Sequence, residues 1–413
     1  MDLKRGWTCH PRPAPPCFTA IPMQRYLERA IAWRRHLHQH PEESFEEVQT
    51  AQYIVDELKG LKHARIERLT PTSVVLVFDT GRPGARIGLR ADTDALPVQE
   101  DRPDLPFASK VPGKMHACGH DGHTAILMAT CLYIDEHIDE FSGQIHAIFQ
   151  HAEEILPGGA REMVATGYFD DFDFIYGQHL VSPVPTGVID IKAGPATANT
   201  DAYNITIHGK GGHAAMPDLS IDPVVIGAQF VTALQSVVSR KFSPHDRVVI
   251  SNTMFHAGTA QNIIPHTAKL TGSVRTMTPE HRERARAAIE ALLKGLCEAH
   301  GATWDFEYEV GYDATFNDPE KTAIVREIAK ERFGDAVTEL PPLMAGEDFS
   351  AFARRVPSTY VFIGASSAEF SYPHHHPKFG LDEASFEYGL GMMVAVAKNA
   401  ARFSRKACQK ADV

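Results

Sequence analysis

A nine-residue segment of this chain concentrates side chains that can bind metal ions. Residues 115–123 (MHACGHDGH) contain one thiol, three imidazoles and one carboxylate. Three similar patches follow, at 150–154 (QHAEE), 176–179 (YGQH) and 372–377 (YPHHHP). Thiolate, imidazole and carboxylate donors suit Zn, Mn, Co or Ni better than the all-oxygen shell preferred by Ca and Mg. The four patches therefore predict a hydrolytic metal site with a carboxylate left over to act as a base.

The adjacent pair Glu153-Glu154 offers two carboxylates at one place. Neighbouring side chains of an extended segment point in opposite directions, so one could bind metal while the other faces a water molecule. Two metals about 3.5–4 Å apart and one free carboxylate can activate water, polarise a carbonyl and protonate a leaving nitrogen. A solvated acidic turn is the alternative, but the position between a predicted strand and the sequence Pro157-Gly158-Gly159 favours a site.

Each patch alone also has a plain structural explanation. A histidine at a strand end is more often a hydrogen-bonded structural residue than a ligand, and Cys118 alone would usually be a small buried hydrophobe. The run 374–376 of three histidines could be a solvated loop that supplies at most one ligand. It is the joint occurrence of the four patches at predicted strand ends that favours metal binding.

The elements that must position these patches alternate between strand and helix. Short apolar runs predict strands at 74–78, 87–91, 145–150 and 174–179, and helical spacing predicts helices at 23–40, 44–58, 122–138 and 158–165. This alternation indicates an α/β domain with a largely parallel sheet. Ligands gather at the carboxyl ends of strands in such sheets, and there we expect Asp92, Asp94, the two glutamates and His179 to converge.

A second domain is predicted from the change of pattern between residues 193 and 304. Strands at 202–207, 248–255 and 267–275 there flank two long amphipathic helices at 222–240 and 279–300. We expect an inserted α+β domain at 193–304 between catalytic-domain parts 23–192 and 305–413. The second part would contain a helix at 319–333, a strand at 359–364 and a closing helix at 382–403. Residues 1–22 contain five prolines and predict a poorly ordered extension.

Composition excludes several classes of function. The 413 residues are 43% hydrophobic, which is enough for one large core and two domains. A net charge of -11 without a Lys/Arg block argues against binding to nucleic acid or to an anionic membrane. The six scattered cysteines fit a reducing compartment, and no run of eighteen apolar residues predicts a membrane span. We therefore expect a cytoplasmic protein.

Seven ordered motifs extend from about residue 23 to residue 403. They are the segment around Cys118 and residues 35–42 (RHLHQHPE), 89–97 (LRADTDALP), 151–154 (HAEE), 209–217 (GKGGHAAMP), 262–265 (NIIP) and 346–349 (GEDF). Together they resemble the dinuclear-metal amidohydrolases, which include hippurate hydrolases, N-acyl-amino-acid hydrolases, carboxypeptidase G and plant auxin–amino-acid conjugate hydrolases. The resemblance implies a zinc-exopeptidase-like catalytic domain and an inserted lid that also forms a homodimer or a dimer-based tetramer.

The resemblance also implies a ligand set for two divalent ions per subunit, drawn from Mn, Zn, Co or Ni. Cys118 would bridge the two metals, a feature of the aminoacylase and hippurate hydrolase branch where more distant relatives use Asp. His120 and His179 would complete one site, and Glu154 and His375 the other. His375 is chosen because the ligand in this branch stands two residues before a proline, here Pro377. His374 is the alternative.

Roles beyond metal binding follow from the same resemblance. Glu153 corresponds to the general base, and Asp94 to the aspartate that orients a metal-bound imidazole. Asp92 stands where more distant relatives have a ligand histidine, with a turn cap as its alternative. In the inserted domain His213 would stabilise an oxyanion, often in the active site of a second subunit. Substrate would be bound by three further residues: Asn262, Gly346 and Arg275, of which Arg275 is otherwise a surface strand residue.

These residues predict an enzyme that cleaves the amide bond of an N-acyl or N-aroyl amino acid and releases a carboxylic acid and an amino acid. A dipeptidase, exopeptidase or aryl-amide hydrolase on the same scaffold is the nearest alternative. A free substrate α-amine would need an acidic partner, which the sequence does not identify. A non-catalytic metal-binding protein is a different class of alternative. It predicts a missing ligand or base, yet every expected position is filled.

Overall fold

The computed structural model describes residues 23–404, so the prediction for residues 1–22 lies outside the described residues. Its strands are β1 Ala64–Glu67, β2 Val74–Asp79, β3 Arg86–Asp92, β4 Gln144–Gln150, β5 Phe174–Pro185, β6 Ile189–Asp190, β7 Gly194–Pro195, β8 Asn199–His208, β9 Gly212–His213, β10 Val249–Ala257, β11 Ile263–Ile264, β12 Thr267–Thr276, β13 Thr303–Val310, β14 Phe316–Asn317, β15 Val337–Thr338 and β16 Ser358–Ser366. Its helices are α1 Gln24–Gln39, α2 Val48–Leu58, α3 His120–Glu136, α4 Gly159–Ala165, α5 Pro223–Lys241, α6 Pro279–His300, α7 Pro319–Phe333, α8 Ser350–Arg355 and α9 Phe386–Lys398.

The chain divides into two compact units. The first contains the described residues up to Gly194, residues Asn317–Leu340 and the chain from Ala351 onward. The second contains Pro195–Phe316 and Pro341–Ser350. The first unit is an α/β structure built on an eight-stranded mixed sheet, with strand order β1-β2-β4-β3-β5-β16-β6-β15. Its central pairs are parallel, because β3 pairs in parallel with β4 and β5, and β16 with β5.

Helix α3 forms the centre of the first unit's core. Its residues from His120 to Cys131 are all buried, as expected of a helix whose apolar side chains do not form a single stripe. Helices α1 and α9 both pack against it. The polar residues at its first turn are therefore held on a rigid element.

Helix α2 begins at Val48, later than the predicted start at residue 44. The backbone at Phe45 has a φ of 68°, which a helix cannot accommodate. The Glu42 carboxylate then accepts hydrogen bonds from the N–H groups of Gln49 and Thr50, at 3.1 and 2.8 Å. Residues 44–47 are thus left as an irregular segment. The closing helix is also shorter than predicted, because α9 ends at Lys398.

The second unit contains a four-stranded antiparallel sheet in the order β10-β12-β8-β13. Helices α5 and α6 share one apolar core with this sheet. Strand β13 pairs with β8 from Thr303 to Val310, so the predicted boundary at residue 304 falls inside a strand. The unit extends to Phe316 because that strand completes its sheet.

No helix in the described part of the chain is both long and apolar enough to cross a bilayer.

Candidate metal centre

Two neighbouring strand ends bring the predicted carboxylates together. Strands β3 and β4 run in parallel and end opposite each other, at Asp92 and Gln150. The segments that follow carry Asp94 and Glu154, and the Glu154 N–H donates to Oδ2 of Asp94 at 2.9 Å. Ligand segments meet at the carboxyl edge of the sheet, as the sequence predicts.

His179 presents a ring nitrogen to the sulfur of Cys118. Its Nδ1 lies 2.9 Å from the carbonyl oxygen of Leu180, so Nδ1 carries the proton and donates it. The unprotonated Nε2 lies 3.6 Å from Sγ of Cys118. A hydrogen bond of this kind fixes the tautomer of a metal-binding imidazole. The expectation that His179 ends its strand is wrong, because β5 continues to Pro185.

His120 is oriented in the same way by Asp94. Its Nδ1 lies 3.0 Å from the backbone oxygen and 3.1 Å from Oδ1 of Asp94. The buried Nε2 has no hydrogen-bond partner among the described residues and lies 3.9 Å from Oε1 of Glu154. Burial lowers the pKa of His120, but the carboxylates of Asp92, Asp94 and Glu154 outweigh it and raise the pKa to about 10. The site therefore attracts positive charge at this nitrogen.

His375 reaches Glu154 from the loop after β16. Its Nε2 lies 3.3 Å from Oε1 of Glu154. The loop is held by a hydrogen bond from the His375 N–H to the carbonyl of Ala117, at 2.8 Å, and His375 has a left-handed φ of 64°. The nearby Glu154 carboxylate raises the pKa of His375. An imidazole and a carboxylate thus face each other beside Cys118.

Glu153 and Glu154 both face the candidate centre. One carboxylate oxygen of Glu153, one of Glu154 and a ring nitrogen of His120 all lie within 4.8 Å of one another. The expectation that they point in opposite directions is therefore wrong. Its premise was an extended segment, whereas Ala152 just before them has a φ of 49°. The turn at Ala152 directs both carboxylates to one place.

Both carboxylate oxygens of Asp92 accept hydrogen bonds from neighbouring side chains. Its Oδ1 accepts from Nδ1 of His123 at 2.6 Å, and its Oδ2 accepts from Arg90 at 2.7 Å. Nε2 of His123 in turn accepts the Leu180 N–H at 2.8 Å. Burial raises the pKa of Asp92, but His120, His123 and Arg90 outweigh it and lower the pKa well below its usual range. Asp92 is thus an ion-pair partner, and His123 has no ring nitrogen left for a ligand bond.

A buried network supports the opening segment from behind. Oδ2 of Asp121 accepts from Nε of Arg34 and from Nδ1 of His38, each at 2.8 Å. Nε2 of His38 lies 3.2 Å from Glu100. Asp121 therefore anchors the start of α3 to α1. The motif at 35–42 contains His38, but the sequence pattern alone does not show that His38 bonds to Asp121.

The residues present fit divalent transition metals. Two sets of ligand atoms, Cys118 with His120 and His179 and Cys118 with Glu154 and His375, each lie within 4.8 Å of one another. Cys118 belongs to both sets, as a bridging ligand must. Burial, together with Glu154 and Glu153, raises the pKa of Cys118 well above its usual range in the metal-free protein. A thiol of this kind is deprotonated when it coordinates a metal.

The second unit brings His213 and Asn262 together. Strand β9 pairs with β11 so that His213 lies opposite Ile263, and the Ala214 N–H donates to the carbonyl of Asn262 at 3.1 Å. Nδ1 of His213 accepts the Ala215 N–H at 3.1 Å, so Nε2 carries the ring proton and can donate. His213 and Asn262 both line an open cavity of about 780 Å³.

The other two predicted substrate-binding residues lie elsewhere in the second unit. Arg275 is on β12, where its guanidinium lies 3.1 Å from the carbonyl of Val274 and 3.5 Å from that of Asp201. Burial lowers its pKa. Gly346 lies so close to Thr200 that an added Cβ would be 2.8 Å from its Cγ2. The close approach of the backbone at residue 346 to Thr200 therefore favours a glycine there.

Two residues that support the centre were not predicted from the sequence. Ser44 donates to Oδ2 of Asp94 at 2.6 Å. Glu47 is fully buried and accepts the N–H of Ala152 at 2.7 Å. Both belong to the segment predicted as the start of a helix at 44–58, and the structure places them before α2 begins or at its N-cap.

Comparison with known proteins gives concordant matches. Residues 88–399 match the model of peptidase family M20/M25/M40. An N-acyl-L-amino acid amidohydrolase of Geobacillus stearothermophilus is 47% identical over 70% of this chain and 77% of its own length. Thermostable carboxypeptidase 1 of Saccharolobus solfataricus is 38% identical over 91% of this chain and 95% of its own length.

A solved structure also aligns over nearly the whole chain. It is a protein of Bacillus subtilis described as a dinuclear metal binding peptidase from the M20 family. The alignment has a TM-score of 0.81 and 32% identity, and covers 92% of this chain and 100% of that one.

Proposed function

The chain belongs to peptidase family M20/M25/M40 and is a metal-dependent amidohydrolase, and from that premise we propose that it cleaves the amide bond of N-acyl or N-aroyl amino acids. The products are a carboxylic acid and a free amino acid. The observation that carries this proposal is the presence of Cys118 in two adjoining ligand sets, with Glu153 beside them. The name of the Geobacillus relative supports the same substrate class.

In this proposal two divalent ions, drawn from Mn, Zn, Co or Ni, are held by Cys118, His120, His179, Glu154 and His375. When bound, the ions supply Lewis acidity that activates water and polarises the scissile carbonyl. Glu153 takes the proton from the attacking water and returns it to the leaving nitrogen, which is the usual task of a general base in this position. Asp94 keeps His120 in the tautomer that leaves Nε2 free.

His213 stabilises the negative charge that develops on the substrate oxygen. Its accepted hydrogen bond from Ala215 leaves Nε2 as a donor. Asn262 and Arg275 bind the remainder of the substrate, with the Arg275 guanidinium as partner for the free carboxylate of the amino acid. Gly346 has no side chain, which allows its backbone to lie close to Thr200.

We also propose a homodimer, or a dimer-based tetramer, formed through the second unit. Strand β10 is at the edge of its sheet, and Val249 and Met254 on it are about half exposed, at 44% and 49%. An exposed edge with apolar side chains favours pairing with another chain. In such a dimer His213 would act in the site of the second copy. A cytoplasmic location is proposed with it, supported by the free thiols of Cys118, Cys131 and Cys297.

Substrate class is tested with metal-depleted protein refilled with Mn, Zn, Co or Ni and assayed on acetyl, benzoyl and long-chain acyl amino acids. Free dipeptides form the parallel arm, because one relative is named a carboxypeptidase. We expect turnover of N-acyl amino acids to exceed that of free dipeptides. Hydrolysis of free dipeptides without hydrolysis of any N-acyl amino acid would contradict the proposal and indicate an exopeptidase.

The proposed action of His213 across subunits is tested by co-expressing two inactive chains, Glu153→Gln and His213→Ala. A mixed dimer then contains one site with an intact Glu153 and an intact His213. We expect up to about a quarter of wild-type activity to return. A mixed dimer that forms but remains inactive would show that His213 acts within its own chain.

A further inference from the structure

The backbone turn that precedes the two glutamates has an unusual conformation. Ala152 has a φ of 49°, a left-handed conformation that is unfavourable for an L-residue with a Cβ. Its N–H donates to Oε1 of Glu47 at 2.7 Å, and its carbonyl accepts the N–H of Gly159 at 2.8 Å. The turn is therefore held at both polar groups of Ala152. Glu153 and Glu154 follow immediately.

Glu47 comes from a distant part of the chain and is fully buried. Its own carbonyl accepts the N–H of Ala51 at 2.9 Å, at the first turn of α2. Burial, with the nearby Asp94 carboxylate, raises the pKa of Glu47 to about 7, although the N–H groups of Ala152 and Phe45 favour the ionised form. A carboxylate in this position costs free energy of burial. The carboxylate makes no capping hydrogen bond to α2, and its bond to the Ala152 N–H fixes the turn instead.

The segment around Glu47 contacts the same region at two further points. Ser44 donates to Oδ2 of Asp94 at 2.6 Å. The ring of Phe45 packs edge-on against that of His151, with centroids 5.6 Å apart. Phe45 is itself left-handed, with a φ of 68°. Two residues in a costly conformation thus stand on facing segments, which indicates that each segment constrains the other.

We propose that Glu47 is a positioning residue for the metal centre. Its Oε1 fixes the Ala152 N–H and thereby sets the directions in which Glu153 and Glu154 leave the turn. Without that acceptor, Ala152 can relax toward a right-handed conformation and rotate both carboxylates away. The inference rests on the proposed roles of Glu153 and Glu154, but it concerns metal affinity and is independent of which substrate is cleaved.

Two amide variants separate positioning of the metal ligands from a purely structural role of Glu47. Glu47→Gln keeps an acceptor oxygen at the same reach, whereas Glu47→Asn shortens the reach by one methylene. Glu46→Gln is the matched control, because Glu46 is exposed and pairs with Lys114 at the surface. Each metal-depleted variant is titrated with Mn²⁺ by calorimetry, and its thermal unfolding is recorded without metal.

We expect Glu47→Gln and Glu46→Gln to bind Mn²⁺ within about threefold of wild type. Glu47→Asn should bind it about 10–100-fold more weakly, the usual effect of losing a residue that supports metal ligands. Equal affinities of the Asn and Gln variants would overturn the proposal. So would a reduced melting temperature of Glu47→Asn with unchanged Mn²⁺ affinity, since that result describes a residue that only stabilises the fold.

If Glu47→Asn fails to fold, hydrogen exchange of the Ala152 amide in the wild-type protein tests the proposal instead. In metal-free wild type the Ala152 amide should exchange at least about 100-fold more slowly than in an unstructured peptide, because it is buried and hydrogen-bonded. Exchange of that amide at the rate of an open loop would overturn the proposal.

Discussion

Nε2 of His375 lies 3.3 Å from Oε1 of Glu154, although the two residues come from loops after different strands. The neighbouring imidazole is used differently, since Nε2 of His374 accepts the N–H of Ser182 at 3.1 Å. Only one member of the histidine run is thus directed to the carboxylate. The contact supports His375, and not His374, as the ligand.

His375→Ala should weaken one of the two metal sites by about 10–100-fold, because it removes one of that site's donors. His374→Ala removes an acceptor for a backbone amide and ring contacts with His179 and Phe379, which should lower stability but not metal content. The metal contents of the two variants are compared by elemental mass spectrometry after gel filtration. Equal metal loss from both variants would remove the distinction between them.

Glu153→Gln should lower kcat by about 10²–10⁴-fold, because an amide cannot take up and return the proton. Both metals should remain bound, since the variant keeps the ligand Glu154. Steady-state kinetics and metal content on the same preparation check both parts. Full activity in a variant of verified mass would contradict the assignment of Glu153 as base.

Asp121→Asn should destabilise the fold by about 3–5 kcal/mol, because it removes the buried carboxylate charge that pairs with both Arg34 and His38. Asp104→Asn is the control, since Asp104 is 60% exposed in its pair with Arg102 and should change stability little. Urea unfolding gives both values. Unchanged stability of Asp121→Asn would mean that the network does not anchor α3.

Unfolding should become easier below neutral pH partly because of His146. Burial, together with Arg86 and Arg65, lowers its pKa to about 3. The unfolded imidazole binds a proton below about pH 6.5, so the unfolded state binds more protons between pH 6.5 and pH 3. The free energy of unfolding therefore falls as pH falls, by up to about 1.4 kcal/mol per pH unit from this group. Folded His146→Gln should show a shallower slope between pH 6 and 4, and equal slopes would refute the assignment.

Much of the architecture was predictable because local signals agreed with the fold. Helix α6 spans its predicted range, since Thr278 caps its start before Pro279 and Gly301 ends it with a φ of 70°. Strands β2 to β5 were apolar runs bounded by turn residues, and the parallel pairing of β3 with β4 and β5 placed the predicted ligand segments at one edge.

Features that depend on long-range contacts could not be predicted from the sequence. Residues 44–47 have a helical pattern, yet Ser44 is bonded to Asp94 and Glu47 to Ala152, which no local signal predicts. Ala152, just before Glu153, has a left-handed φ, and an alanine in the sequence gives no warning of that conformation. The end of the second unit depends on the pairing of β13 with β8.

The bridging position of Cys118 is tested most directly by diffraction from crystals of the metal-loaded protein, recorded above and below the absorption edge of the bound metal. We predict two anomalous peaks about 3.5–4 Å apart, each at bonding distance from the Cys118 sulfur, about 2.3 Å for Zn. A single peak, or two peaks neither of which is bonded to Cys118, would contradict the dinuclear centre proposed here.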